Sequence, residues 1–117
     1  MSPTTAEAPL SAYSSYFDAL GDPNRLRIVV RLCDGGPCST TDVAEVVPVS
    51  RQAATKHLKL LESAGLVSSR RAGRERIWRM QPRPLADASE YLTALSQRWD
   101  RAIDRLRAFV EDDETTN

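Results

Sequence analysis

The stretch SRQAATKHLKLLESAGLVSSRRAGRERIWRM, residues 50–80, holds a helix pattern followed by a hairpin pattern. Ser50 is a helix-capping residue, and behind it Ala54, Leu58, Leu61 and Ala64 recur at steps of four, three and three, the period of one helix face. Arg51, Gln52, Thr55, Lys56 and Lys59 fall on the other faces, and Gly65 ends the helix. Residues 66–71 and 76–80 then read as two strands around Ala72-Gly73-Arg74-Glu75, a β-hairpin with glycine at its tip. Most of its residues are polar, so the hairpin is expected to protrude.

Upstream of this stretch, Ser39 and Asp42 resemble a capping box that opens a short helix through Val43, Ala44, Val46 and Val47, closed by Pro48. Two helices joined by the tight turn at 48–50 make a helix-turn-helix. Further upstream, Asp22 and Pro23 supply an N-cap and a first-turn proline for a helix placing Leu26, Val29, Val30 and Cys33 on one face, punctuated by Asp34-Gly35-Gly36-Pro37. Leu10, Tyr13, Tyr16, Phe17 and Leu20 predict a first helix, stopped at Gly21. Beyond Pro82 and Pro84, one long helix is expected to run to about Glu111. Its residues Leu85, Ala88, Leu92, Leu95, Trp99, Ala102, Leu106 and Phe109 form a heptad-like seam. The expectation is a mainly α winged helix-turn-helix of five helices with a small β-hairpin wing. It occupies residues 10–111, between a disordered tail at 1–9 and an acidic, solvated tail at 112–117.

A chain of 117 residues with 41% hydrophobic content supports one domain with one core. A seam that one small subunit cannot cover is buried against a copy, so a homodimer is the default. Sixteen basic residues balance sixteen acidic ones, which argues against a polycation that coats nucleic acid. The balance conceals an asymmetry. Residues 51–79 hold eight Lys and Arg against Glu62 and Glu75, whereas acids predominate on both sides of that span. A basic centre between acidic ends is the footprint expected for a polyanion partner. Residues 1–9, MSPTTAEAP, have neither a basic nor an apolar leader character, and no apolar run reaches membrane-spanning length. The expected location is therefore the cytoplasm, with no membrane partner. With a single histidine, no nucleophile–base set and no glycine-rich phosphate loop, nothing is available for a catalytic role.

The basic residues are placed for contact with double-stranded DNA. Arg51, Gln52, Thr55, Lys56 and Lys59 carry donors of the kind that reach base edges and phosphates in a major groove. Arg70, Arg71, Arg74, Arg76 and Arg79 follow on the hairpin, with Arg74 near the tip. Alternating arginines are common on ordinary solvated strands, but beside a helix-turn-helix they read as a wing that grips phosphates or enters a minor groove.

The runs FDALGDPNRLRIVVRL and VSRQAATKHLKLLESAGLVSSRRAGRERIWRM resemble the ArsR/SmtB-type winged-helix repressors over roughly residues 13–110. The shared pattern is an aromatic-x-A-L-x-D-P-x-R opening, S-x-x-A-x-[ST]-x-H-L-K-x-L in the reading helix, A-G-L-V before the wing and G-R at its tip. The resemblance implies a repressor that binds an inverted-repeat operator as a homodimer. Ser50, Arg51, Gln52, Thr55, Lys56 and His57 match recognition-helix positions, and Lys59, Arg70, Arg74 and Arg76 complete the expected DNA-contacting set. The family's dimer interface uses the first and last helices, here represented by Leu10, Tyr13, Phe17, Leu92, Leu95, Trp99 and Leu106.

Metal-sensing members carry a Cys-x-Cys pair near the third helix, or Asp, His and Glu ligands in the last helix; neither set is present. No metal or other cofactor is therefore expected, and no inducer is read from the residues. His57 reads as a packing or phosphate-contacting residue rather than a zinc ligand. Cys33 and Cys38 admit two readings. They are either a redox- or arsenite-responsive thiol pair or, the stronger reading, a core residue on the second helix and a small residue before an N-cap. A winged-helix module that binds another protein through the same charges is the alternative class.

Overall fold

The computed structural model describes residues 10–115. In chain order it contains α1 (Leu10–Leu20), α2 (Pro23–Gly35), β1 (Cys38–Ser39), α3 (Thr40–Val46), α4 (Arg51–Ser63), β2 (Val67–Ala72), β3 (Glu75–Met80) and α5 (Pro82–Thr115). One compact unit ends at Asp87 and a second consists of α5 from Ala88 onward. The expected tail at 1–9 lies outside the described residues.

Side-chain caps fix where the helices begin. Asp22 Oδ2 accepts the amides of Asn24 at 2.9 Å and Arg25 at 3.0 Å, with Pro23 in the first helical position. Ser39 Oγ accepts from the Asp42 amide and Ser50 Oγ from the Ala53 amide, each at 3.1 Å. These bonds satisfy first-turn N–H groups that have no partner inside a helix. Pro82 and Pro84 both fall in the first turn of α5, where a missing N–H forfeits no helical bond. At the other end of α2, Gly36 takes the left-handed φ of 74° and returns its N–H to the Leu32 carbonyl at 3.0 Å.

The packing of α2 differs from the sequence expectation. Its buried residues are Ile28, Val29 and Leu32, whereas Leu26 and Val30 are 47% and 52% exposed and Cys33 lies at the surface. Apolar residues occupy two stripes of this helix, so a 3.6-residue period fits either one. The helix end of the chain is also revised. No glycine or proline follows Pro84, and α5 accordingly runs through Asp112 and Asp113 to Thr115 instead of giving way to a tail at 112.

The three strands form an antiparallel sheet in the order β1-β3-β2. β2 and β3 pair from Val67 opposite Met80 to Ala72 opposite Glu75, which leaves Gly73 and Arg74 as a two-residue loop. Gly73 has a φ of 66° and Arg74 does not have a positive φ, the combination of a type II′ turn. The third strand, β1, was not expected, because two residues carry no readable alternation; it sets Cys38 opposite Trp78 and Ser39 opposite Ile77. The hairpin protrudes only at its tip. Its root is core, with Val67 buried and Trp78 only 1% exposed, alongside Ile28, Val43, Leu58, Leu61 and Leu66.

Trp78 Nε1 donates to Thr40 Oγ1 at 2.8 Å inside this core. Together α3, the turn at 47–50, α4 and the hairpin make a winged helix-turn-helix. Trp78→Ala is expected to lower unfolding free energy by about 3–5 kcal/mol. Thr40→Val, which strands the indole N–H, should cost about 1–3 kcal/mol. Urea unfolding of both variants measures these losses, and a Thr40→Val midpoint equal to that of the unsubstituted chain would contradict the role given to this bond.

Candidate nucleic-acid interface

The turn after α3 ends at Ser50, and the first turn of α4 contains no acid. Ala54, Leu58 and Leu61 anchor α4 in the core. That orientation leaves Gln52, Lys56 and Lys59 on the opposite, exposed face, with Arg51 exposed at the start of the helix. Ser50, Gln52, Ala53, Thr55 and Lys56 line a shallow concavity there. The Thr55 hydroxyl donates to the Arg51 carbonyl at 3.0 Å, so its methyl group is the part left to meet a ligand. Backbone amides at a helix N-terminus and the cations beside them act in the same sense on an anion.

On the wing, register sorts the arginines. Arg70 and Arg79 share one face with Ile77, while Arg71 and Arg76 stand directly opposite each other on the face that carries Trp78. Arg74 sits in the exposed loop. Among the described residues, Arg51, Lys56, Lys59, Arg70, Arg71 and Arg74 have no side-chain hydrogen bond or ion-pair partner. Arg76 is different: its Nη1 donates to Ser69 Oγ at 2.9 Å, and Ser69 in turn donates to Glu62 Oε2 at 3.0 Å.

His57 also departs from the remainder of the expected contact set. Its side chain is only 18% exposed, and Nδ1 lies 3.5 Å from Arg25 Nη1 and 3.9 Å from Asp22 Oδ2. Arg25 Nε donates to the Ala19 carbonyl at 2.6 Å. One small polar cluster thus joins the end of α1, the start of α2 and the middle of α4. Sequence reasoning found Asp22 as a cap and Arg25 only as part of the D-P-x-R motif; their meeting with His57 depends on tertiary structure.

Asp22 is held below the ordinary aspartate value of 3.8 first by the Arg25 amide, then by the Asn24 amide and the charges of His57 and Arg25, against an opposing desolvation. A depressed native pKa means that the unfolded chain takes up the proton first, so the stabilisation is present above about pH 4 and is lost as pH falls through the native value. Urea midpoints measured from pH 6 to pH 3 should therefore fall more steeply for the unsubstituted protein than for Asp22→Asn. The variant should be the less stable of the two at pH 6, and the curves should converge in acid. Parallel curves would remove Asp22 from this account.

The two thiols have dissimilar surroundings. Cys33 is exposed, beside a shallow recess lined by Leu32, Pro37, Arg79, Met80, Pro82 and Leu85. Cys38 is buried in β1, and burial pushes its thiol up, which disfavours the reactive thiolate. Sequence spacing places Cys33 on the core face of α2, but it is Cys38 that is buried. Among the described residues, no three His, Cys, Asp or Glu side chains are grouped as a metal site requires. No described helix is long and apolar enough to cross a membrane.

Residues 20–70 match the family described as Helix-turn-helix domain. An HTH-type transcriptional regulator of Mycobacterium tuberculosis is 40% identical over 87 residues, which is 74% of this chain and 78% of that protein. The arsenical resistance operon repressor of Bacillus subtilis is 34% identical over 64 residues, 55% of this chain; the chain spans only 61% of that relative. Among solved structures, an ArsR-like transcriptional regulator from Rhodococcus sp. RHA1 superposes with a TM-score of 0.67 at 33% identity, covering 85% of this chain and 92% of that one. A homodimeric winged helix-turn-helix DNA-binding domain from Mycobacterium bovis superposes with a TM-score of 0.56 at 25% identity, covering 81% of each.

Proposed function

Because this chain belongs to the ArsR/SmtB-type helix-turn-helix transcriptional regulators, we propose that it represses transcription by binding an inverted-repeat operator as a homodimer. The observation that carries this reading is the unpaired cationic surface made by α4 and the wing. Like charges held without counter-ions cost free energy that a polyanion recovers. Gln52, Lys56 and Lys59 are the groove-facing residues, and Arg51 and Thr55 flank them. Ser50 contributes by starting the helix. Arg70, Arg71 and Arg74 meet the backbone or the adjoining minor groove, while His57 keeps α4 in place from behind.

Dimerisation through α5, with α1 contributing, is supported by what the helix leaves uncovered. Leu92, Leu95, Trp99, Leu106 and Phe109 are all exposed, Trp99 by 66% and Phe109 by 73%. Leu10 on α1 is exposed as well, whereas the Tyr13 ring packs edge-on against Tyr16, with centroids 6.2 Å apart. A second copy is the occupant with the same seam to offer. Two recognition helices about 34 Å apart then reach successive major grooves.

Selection from a random DNA pool is expected to recover an inverted repeat. With about six to ten phosphate contacts, affinity for it should fall roughly a thousandfold or more between 50 and 200 mM salt. The combined variant Arg51→Ala, Lys56→Ala and Arg74→Ala should lose this binding while keeping its fold by circular dichroism. Salt-independent binding, or no enriched sequence at low salt, would favour a protein-binding module instead.

The dimer has its own test. Trp99→Ala should weaken association by on the order of 3 kcal/mol, read by sedimentation equilibrium or light scattering, and operator affinity should fall with it although no base contact has been touched. Unchanged oligomeric state and unchanged affinity would reassign the α5 seam.

A further inference from the structure

The helix that reads DNA in the proposed function carries one acid after its start, Glu62, on the side of α4 that packs against β2. An exposed carboxylate beside a phosphate-binding surface lowers affinity, so its presence there calls for another task. Here it accepts the Ser69 hydroxyl at 3.0 Å, and the same hydroxyl oxygen accepts Arg76 Nη1 at 2.9 Å. A serine hydroxyl has one hydrogen to give and two lone pairs to accept with, so both bonds can form at once and each polarises the other. Ser69 and Arg76 are diagonal neighbours on the face of the hairpin that carries Trp78, and Arg76 is itself directly opposite Arg71. Like charges directly opposite each other across a strand pair are destabilising, and Arg71 and Arg76 are such a pair.

We propose that Glu62 is a positioning residue, which through Ser69 draws Arg76 inward and fixes the setting of the wing against the recognition helix. Arg76 then serves as the inner anchor of the wing, leaving Arg71 and Arg74 free to meet DNA. The carboxylate supplies selectivity at a cost in total attraction. It repels phosphates of any sequence, yet it presents helix and wing together in the spacing that one operator demands. The inference rests on the DNA-binding reading, but the tether itself exists in the free protein and is measurable there.

The experiment compares the unsubstituted protein with Glu62→Ala, Glu62→Gln and Ser69→Ala in two ways. Amide hydrogen exchange across β2 and β3 is followed without DNA, and binding is measured to the duplex recovered by selection and to a scrambled duplex of the same length. Glu62→Ala and Ser69→Ala should each speed wing exchange about three- to tenfold, the loss of roughly one partly exposed hydrogen bond. Glu62→Ala should bind the scrambled duplex more tightly while its preference for the selected duplex falls by a similar factor. Glu62→Gln keeps an acceptor oxygen and removes the charge, so it should restore slow exchange and the preference ratio while retaining the tighter binding to scrambled DNA. Exchange and preference unchanged in Glu62→Ala, with the unsubstituted protein binding its operator normally, would overturn the positioning role and leave the proposed function standing. Failure of the unsubstituted protein to bind either duplex would overturn the function, and with it the selectivity assigned to Glu62, even where the exchange difference remained.

Discussion

The hydrogen bond from Trp78 to Thr40 resolves a constraint on which the DNA-binding unit depends. An indole N–H enclosed by hydrocarbon must find an acceptor, and the acceptor it finds is the first residue of α3. Backbone pairing reaches the same place, since Cys38 and Ser39 join β3 immediately before that helix begins. Ser39 therefore has two tasks, pairing with the strand opposite Ile77 and capping α3 through its hydroxyl. The root of the wing and the first helix of the helix-turn-helix are consequently fixed to each other at one point. α4 is held from the other side, where His57 meets Arg25 and Asp22 and Arg25 reaches back to the carbonyl of Ala19. A reading helix supported on two flanks can leave its outer face unpaired without losing its position.

The features legible in the sequence were those with a local physical cause. Caps at Asp22, Ser39 and Ser50 are decided within three or four residues, and the glycine of a two-residue hairpin loop is decided by its own backbone, so these were found where the structure has them. The winged helix-turn-helix architecture followed from them and from the spacing of Ala54, Leu58 and Leu61. Features decided by a second element were not legible. Whether α2 buries Leu26 and Val30 or Ile28 and Leu32 depends on which side its neighbours occupy. β1 exists only because β3 is beside it. His57 and Arg76 carry the donors of DNA contacts in sequence, and only their distances to Asp22, Arg25 and Ser69 give them supporting places.

Among the described residues, two of the surfaces left without an internal partner differ in kind. One is cationic, made by the exposed side of α4 and the wing; the other is apolar, running along α5 from Leu92 to Phe109. Neither can satisfy the other, because a guanidinium group gives up hydration against hydrocarbon and a tryptophan gains little from a phosphate. A chain with equal numbers of acids and bases gains no general attraction to DNA from its total charge. Its attraction depends on where the cations are concentrated and how many meet phosphates together. In the proposed homodimer, association through the apolar seam doubles that number without adding a single positive residue to the sequence. Since each neutralised phosphate steepens the dependence on salt, pairing two modest basic faces creates a salt response that neither face has alone. One surface acts through apolar packing and the other through charge, so different substitutions address each. Under the proposed function, a change in the packing along α5 acts on operator binding through the dimer, whereas a change at Lys56 or Arg74 acts on it through charge.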